Sequence, residues 1–98
     1  MSVEQKTLIF KALGDKSRLE ILSKCQNTSK CSSELKEALN LNKSTLAYHL
    51  DILVKARLLK VNYLQKEKYY FVNRETVAIT KMFLDDYLNS NLKKQDLQ

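Results

Sequence analysis

Proline is absent from this sequence, and glycine occurs once, at Gly14. Motifs that cradle phosphate in glycine-rich loops are therefore excluded, and with them the common nucleotide-binding signatures. There is one histidine, His49, and no cysteine lies within a helical turn of it. A zinc-type ligand set needs several such groups at set spacing, so none is expected. The two cysteines, Cys25 and Cys31, are too few for a disulfide framework. No apolar run approaches the roughly 18 residues needed to cross a bilayer. The opening MSVEQKTLIF lacks the basic region, apolar core and cleavage site of a secretion signal. The expectation is a cytoplasmic protein with no membrane partner.

What the chain does have is positive charge. Seventeen Lys and Arg stand against eleven Asp and Glu, a net charge of +6. A small basic domain is suited to polyanions, because each neutralised phosphate releases condensed counterions. A chain of this length buries only roughly 60–65% of the surface it exposes when unfolded, which favours oligomerisation. No linker, internal repeat or low-complexity tract interrupts residues 1–98, so one domain is expected, with only the polar tail NSNLKKQDLQ free to fray.

With so few breakers, boundaries come from caps and changes of period. VEQKTLIFKALG reads as a first helix, with Gly14 in the left-handed position after it. Asp15 then caps KSRLEILSKC, whose buried side is marked by Leu19, Ile21 and Leu22. After the loop QNTSK comes a third helix, SSELKEALN, with Leu35, Ala38 and Leu39 at helical spacing. Asn42 caps a fourth, from Lys43 to about Lys55. Past Leu58 the period changes: LLKVNYL and KYYFVN, separated by QKE, read as a hairpin. Asn73 caps a final helix from Arg74 to about Asn89. The fold class is mainly α with a small β-hairpin. Helix, helix, helix, helix, hairpin, helix is the order of a winged helix-turn-helix.

On a helical wheel centred on Leu46, Leu50 and Leu53 fall within about 40° and face the core. Ser44, Tyr48, Asp51 and Lys55 lie opposite, flanked by Thr45 and Ala47. Short polar side chains at a helix start suit a major groove about 12 Å wide, where hydroxyls and amides reach phosphates and base edges. His49 lies roughly 60° off the core direction. That leaves two readings for it: a boundary residue bonded to a backbone carbonyl, or a contact to the DNA backbone. No nucleophile elbow or acid–base cluster is present, so neither enzymatic activity nor a cofactor is expected.

KALGDKSRLEILSKC, SSELKEALNLNKSTLAYHLDILVKARLL and the KYYFV strand together resemble the ArsR (ArsR/SmtB) winged helix-turn-helix repressors. The resemblance covers roughly residues 8 to 75, and its most specific part is Ser44-Thr45-Leu46-x-x-His49-Leu50-x-x-Leu53. It implies dimeric repressors whose fourth helix enters the major groove while the wing touches adjacent backbone or minor groove. Lys43, Ser44, Thr45, Tyr48 and His49 then occupy DNA-facing positions, which tilts His49 towards a DNA contact. Many members of the family sense metals through cysteines on the third helix, or through Asp and His on the last. Here Cys31 matches one such cysteine, but Ser33 and Lys36 stand where others would be, and the last helix has Asp85 and Asp86 without a histidine. Neither metal site is intact, so a metal or small-molecule inducer is not expected. Arg57 stands where the family usually has glycine after the recognition helix. It must take a positive φ or let the helix run on.

Cys25 and Cys31 lie six apart across a loop that a disulfide can span. The favoured reading is two unremarkable thiols; the alternatives are a reversible redox pair or a soft-metal or arsenite site. In the last helix, Val77, Ala78, Ile79, Met82, Phe83, Leu84, Tyr87 and Leu88 spread over nearly every direction of the wheel. The first helix is similarly broad. A homodimer built from both is expected, with Leu8, Ile9, Val77, Phe83, Leu84, Tyr87 and Leu88 at its interface. At the wing, Gln65, Lys66 and Lys68 are placed for phosphates. The expected function is a homodimeric, sequence-specific regulator of double-stranded DNA, acting as a repressor. The alternatives are a redox-responsive regulator using Cys25 and Cys31, or a winged-helix protein-interaction module.

Overall fold

A computed structural model describes residues 1–89. In chain order its elements are α1 (Val3–Leu13), α2 (Lys16–Cys25), β1 (Lys30–Cys31), α3 (Ser32–Leu39), α4 (Lys43–Lys55), β2 (Leu59–Leu64), β3 (Glu67–Val72) and α5 (Arg74–Leu88). The tail expected to fray lies, beyond Asn89, outside the described residues.

Local chemistry sets these boundaries. Three helices open on a short polar side chain that accepts one of the backbone N–H groups left over at a helix start. Ser2 Oγ accepts from Gln5 at 3.1 Å. Asp15 Oδ1 accepts from Arg18 at 3.1 Å, and Asn42 Oδ1 from Thr45 at 2.8 Å. At α3 the bond runs the other way, with the Cys31 N–H donating to Glu34 Oε1 at 3.0 Å. Asn73 precedes α5 as expected but makes no capping bond. Its backbone N–H donates to Leu58 O at 2.9 Å, while its Oδ1, the atom that would cap, is buried without a partner among the described residues.

Helix ends depart from expectation once. Gly14 has φ −83° rather than a left-handed value. Its N–H bonds Phe10 O at 3.0 Å, and the chain passes directly into the Asp15 cap. Left-handed geometry appears instead at Asn40, after α3, and at Arg57, after α4. Arg57 has φ 62°. Its N–H meets Val54 O at 2.9 Å, and the Leu58 N–H meets Leu53 O at 2.9 Å. These are the two bonds of a Schellman end, made here by a residue with a Cβ.

The sheet has three strands, in the order β1-β3-β2, all antiparallel to their neighbours. Lys30 and Val61 flank Tyr70 from opposite sides, which buries Tyr70 at the centre. The sequence reading contained only the hairpin, because a two-residue strand carries no alternation to detect. The hairpin turns through Gln65 (φ 51°) and Lys66 (φ 69°). Two positive φ values in a two-residue loop are the type I′ geometry that matches strand twist.

The core gathers Ile9, Ala12, Ile21, Cys25, Leu35, Leu46, Leu50, Leu53, Leu58, Leu59, Tyr70 and Phe83. Two of the expected interface residues are in it. Ile9 is 0% and Phe83 6% exposed, because α5 buries a single stripe of Thr76, Thr80 and Phe83 against the rest of its own chain. The Phe83 ring packs edge-on against Phe10, with centroids 5.7 Å apart. Neither Ile9 nor Phe83 is left for a partner. Leu19 is corrected in the other direction: it is exposed, and α2 buries Cys25 beside the expected Ile21. Among the described residues no helix is long and apolar enough to cross a membrane.

Candidate nucleic-acid interface

Leu46, Leu50 and Leu53 hold α4 to the core by one side. Its opposite side is the polar strip read from the sequence. Lys43 and Ser44 are exposed, and Tyr48 is 61% exposed despite its large ring. Ser44 Oγ donates to Asn42 Oδ1 at 3.0 Å, so the cap holds this hydroxyl in place at the helix start. Thr45 is half-buried on the flank towards the core. Lys55, one helical turn past Asp51, pairs with it at 3.0 Å. Both partners are solvated, so the pair adds only a few tenths of a kcal/mol and leaves the ammonium free to exchange partners.

His49 is not on this strip. It is 8% exposed, with Nδ1 3.1 Å from Arg18 Nη1. A guanidinium only donates, so as a hydrogen bond this contact makes Nδ1 the acceptor. The DNA contact expected of His49 is replaced by an internal one. The partner also differs from the carbonyl first considered: it is a side chain of α2, 31 residues away in sequence. Asp15 Oδ1 lies 4.0 Å from the same nitrogen. The backbone N–H of Arg18 first, and its guanidinium charge after that, hold the Asp15 carboxyl below its ordinary 3.8.

Gln65, Lys66 and Lys68 are all exposed on the wing. The Lys68 ammonium lies 5.9 Å from the centre of the Tyr63 ring, itself exposed on β2. Between α4 and the wing runs a groove whose rim includes Ser32, Ser33, Lys36, Lys43 and Lys68. Neither Tyr63 nor Lys36 was singled out from the sequence as a candidate contact. Strand alternation gave Tyr63 no direction relative to α4, and Lys36 comes to line the same groove as Lys43 only once α3 and α4 are packed.

Cys25 and Cys31 are both buried free thiols. Burial pushes Cys25 up to about 11. Cys31 Sγ lies 3.1 Å from Ser33 Oγ.

Residues 15–61 match the family described as bacterial regulatory protein, arsR family. Over 92 residues the chain is 34% identical to an arsenical resistance operon repressor of Staphylococcus xylosus, covering 94% of this chain and 81% of that one. The chain belongs to the arsR family. A second relative, the arsenical resistance operon repressor of Bacillus subtilis, is 41% identical over 69 residues, which span 69% of this chain and 66% of that one. Among solved structures, a homodimeric winged helix-turn-helix DNA-binding domain from Mycobacterium bovis superposes with a TM-score of 0.72 at 20% identity. That match covers 93% of this chain and 89% of the other, and it makes the fold a winged helix-turn-helix. In arsR-family terms α3 and α4 form the helix-turn-helix, and β2 and β3 the wing. The expectation that no inducer acts on this chain draws no support from two relatives named for arsenical resistance.

Proposed function

We propose that this arsR-family chain is a homodimeric repressor of transcription that binds double-stranded DNA through α4, with the wing on adjacent phosphates. One observation carries the reading: the exposed side of α4 opens with Lys43, Ser44 and Tyr48 while its other side is fixed by Leu46, Leu50 and Leu53. That puts a small polar helix start on a rigid element, which is what groove entry requires. The net charge of +6 supports it, as do Lys66 and Lys68 on the wing. For the dimer, support comes from Leu8, Val77, Leu84, Tyr87 and Leu88, which α1 and α5 leave exposed. The homodimeric Mycobacterium bovis neighbour has the same fold. Two copies related by a two-fold axis would set their recognition helices about one DNA turn, roughly 34 Å, apart.

Binding to genomic fragments across a salt series, followed by footprinting, tests this reading. A protected site with two-fold symmetry is the expected result; equal binding to every fragment counts against it. The relatives' names favour one further arm, the addition of trivalent arsenic to the complex. Release would make Cys31 and Cys25 the soft ligands to mutate first. The redox reading is weaker, because a thiol raised to about 11 carries very little of the thiolate that exchange needs.

A further inference from the structure

Away from the exposed strip, a second set of polar contacts joins α1, α2 and α4, and the proposed function leaves it unused. Arg18 is at its centre. Its Nε donates to Ala12 O at 2.9 Å, and its Nη2 to Lys11 O at 3.0 Å. Both carbonyls belong to the last turn of α1, where the i+4 N–H groups are missing and Lys11 O has only a shared bond from the Gly14 N–H at 3.3 Å. The remaining arm, Nη1, donates to His49 Nδ1 on α4 at 3.1 Å. One planar guanidinium thus spans the end of one helix and the middle of another, which a lysine ammonium has no geometry to do. A second tie lies further along: Gln5 Nε2, on α1, donates to Ala56 O, the carbonyl that closes α4, at 3.4 Å. The first helix is therefore tied to the fourth directly at one point and, through Arg18 of α2, at another.

Away from the buried Ile9 and Ala12, α1 leaves Leu8 exposed. In the dimeric DNA-binding reading, on which this inference rests, that side meets the second copy. A helix that touches the partner on one side and α4 on the other decides where α4 stands relative to the two-fold axis. We infer that Arg18 and His49 are positioning residues for operator reading: they brace α4 against α1 and so fix the separation and phase of the two recognition helices. Leu46, Leu50 and Leu53 hold α4 to the core, but burial of apolar surface is non-directional and tolerates a small rotation of the helix about its axis. The Arg18–His49 hydrogen bond has a direction, and it acts on the side of α4 that faces α2. DNA makes the demand strict, since one inserted base pair moves a half-site by roughly 3.4 Å and rotates it by roughly 35°.

The test compares binding to the footprinted operator with binding to the same operator carrying one extra central base pair. Sedimentation and binding of the wild type come first. A monomer, or a protein without specific binding, defeats the underlying reading and this inference with it. A dimer that binds both spacings equally defeats the inference alone. Given a wild type that prefers the natural spacing, His49→Leu should lose about tenfold in affinity for it, the value of a hydrogen bond to a charged donor. It should lose less for the respaced duplex, so the ratio of the two affinities narrows. His49→Gln, whose carboxamide oxygen can accept from Arg18, should restore most of that ratio. Loss of stability alone lowers the active fraction on both duplexes equally and leaves the ratio unchanged, and an unchanged ratio overturns the inference. Should His49→Leu not fold, long-range nitrogen–proton NMR spectra of the wild type decide instead. A bare Nδ1 with the proton on Nε2 supports the brace, and a proton on Nδ1 overturns it.

Discussion

Arg57 shows what a single residue costs when its backbone geometry is imposed by the elements around it. Its left-handed φ of 62° completes the Schellman bonds that end α4 and start the path into β2. A side chain in that region costs roughly 1–2 kcal/mol that glycine does not incur. Arg57→Gly should therefore raise the unfolding free energy by about 1 kcal/mol, seen as a higher denaturant midpoint at unchanged slope. No gain would mean that the helix ends by another geometry. Asp15 gives a pH prediction. Its carboxyl is lowered from 3.8, chiefly by the backbone N–H of Arg18. A depressed carboxylate contributes stability that is present above 3.8 and lost as pH falls through the lower folded value. Asp15→Asn keeps a capping oxygen but removes the titration, so its acid unfolding should be flatter below pH 3.8 than that of the wild type. At this scale the sequence was partly legible. It posed the choice at Arg57 correctly, yet it misplaced His49, because a partner 31 residues away leaves no trace in local spacing.

At the scale of elements, α4 was the most readable part of the chain. Asn42 marks its start by capping chemistry, and the Leu46, Leu50 and Leu53 stripe marks its buried side. That separation of faces makes a clean experiment. Ser44→Ala and Tyr48→Ala should spare the fold and weaken specific binding by about 1–3 kcal/mol each, if each reads a base. Leu50→Ala should instead cost about 2–5 kcal/mol of stability through the cavity it leaves. Equal effects of all three on the melting temperature would show that the exposed strip is not free. The wing was legible as two β-rich runs about a polar turn, but β1 was not. A pair of residues joins a sheet because β3 presents an edge to it, and that edge exists only in three dimensions. Asn73 is a good capping residue by type, yet its Oδ1 is buried without a capping bond.

The whole molecule is where the sequence misled most usefully. A last helix apolar in nearly every direction does need more than one cover, but the wheel gave no means of telling which side the chain itself supplies. Phe83 turned out to be on that side, against Phe10, with the Lys6 ammonium 5.1 Å from its ring. Leu84, next in sequence, is 46% exposed. The two therefore separate folding from assembly. Phe83→Asp should unfold the chain by putting a charge in its core, whereas Leu84→Asp should leave a folded protein whose dimer is weaker by several kcal/mol. Sedimentation equilibrium and circular dichroism together distinguish them. The central claim, a dimer of two +6 chains gripping DNA through α4 and the wing, is tested most directly by the salt dependence of binding to the footprinted operator. With about 6–10 phosphate contacts, the logarithm of the affinity should fall against the logarithm of salt concentration with a slope of about −5 to −9. A scrambled duplex should bind far more weakly at every salt concentration. A slope near zero, or equal affinity for the operator and the scrambled duplex, would contradict the account.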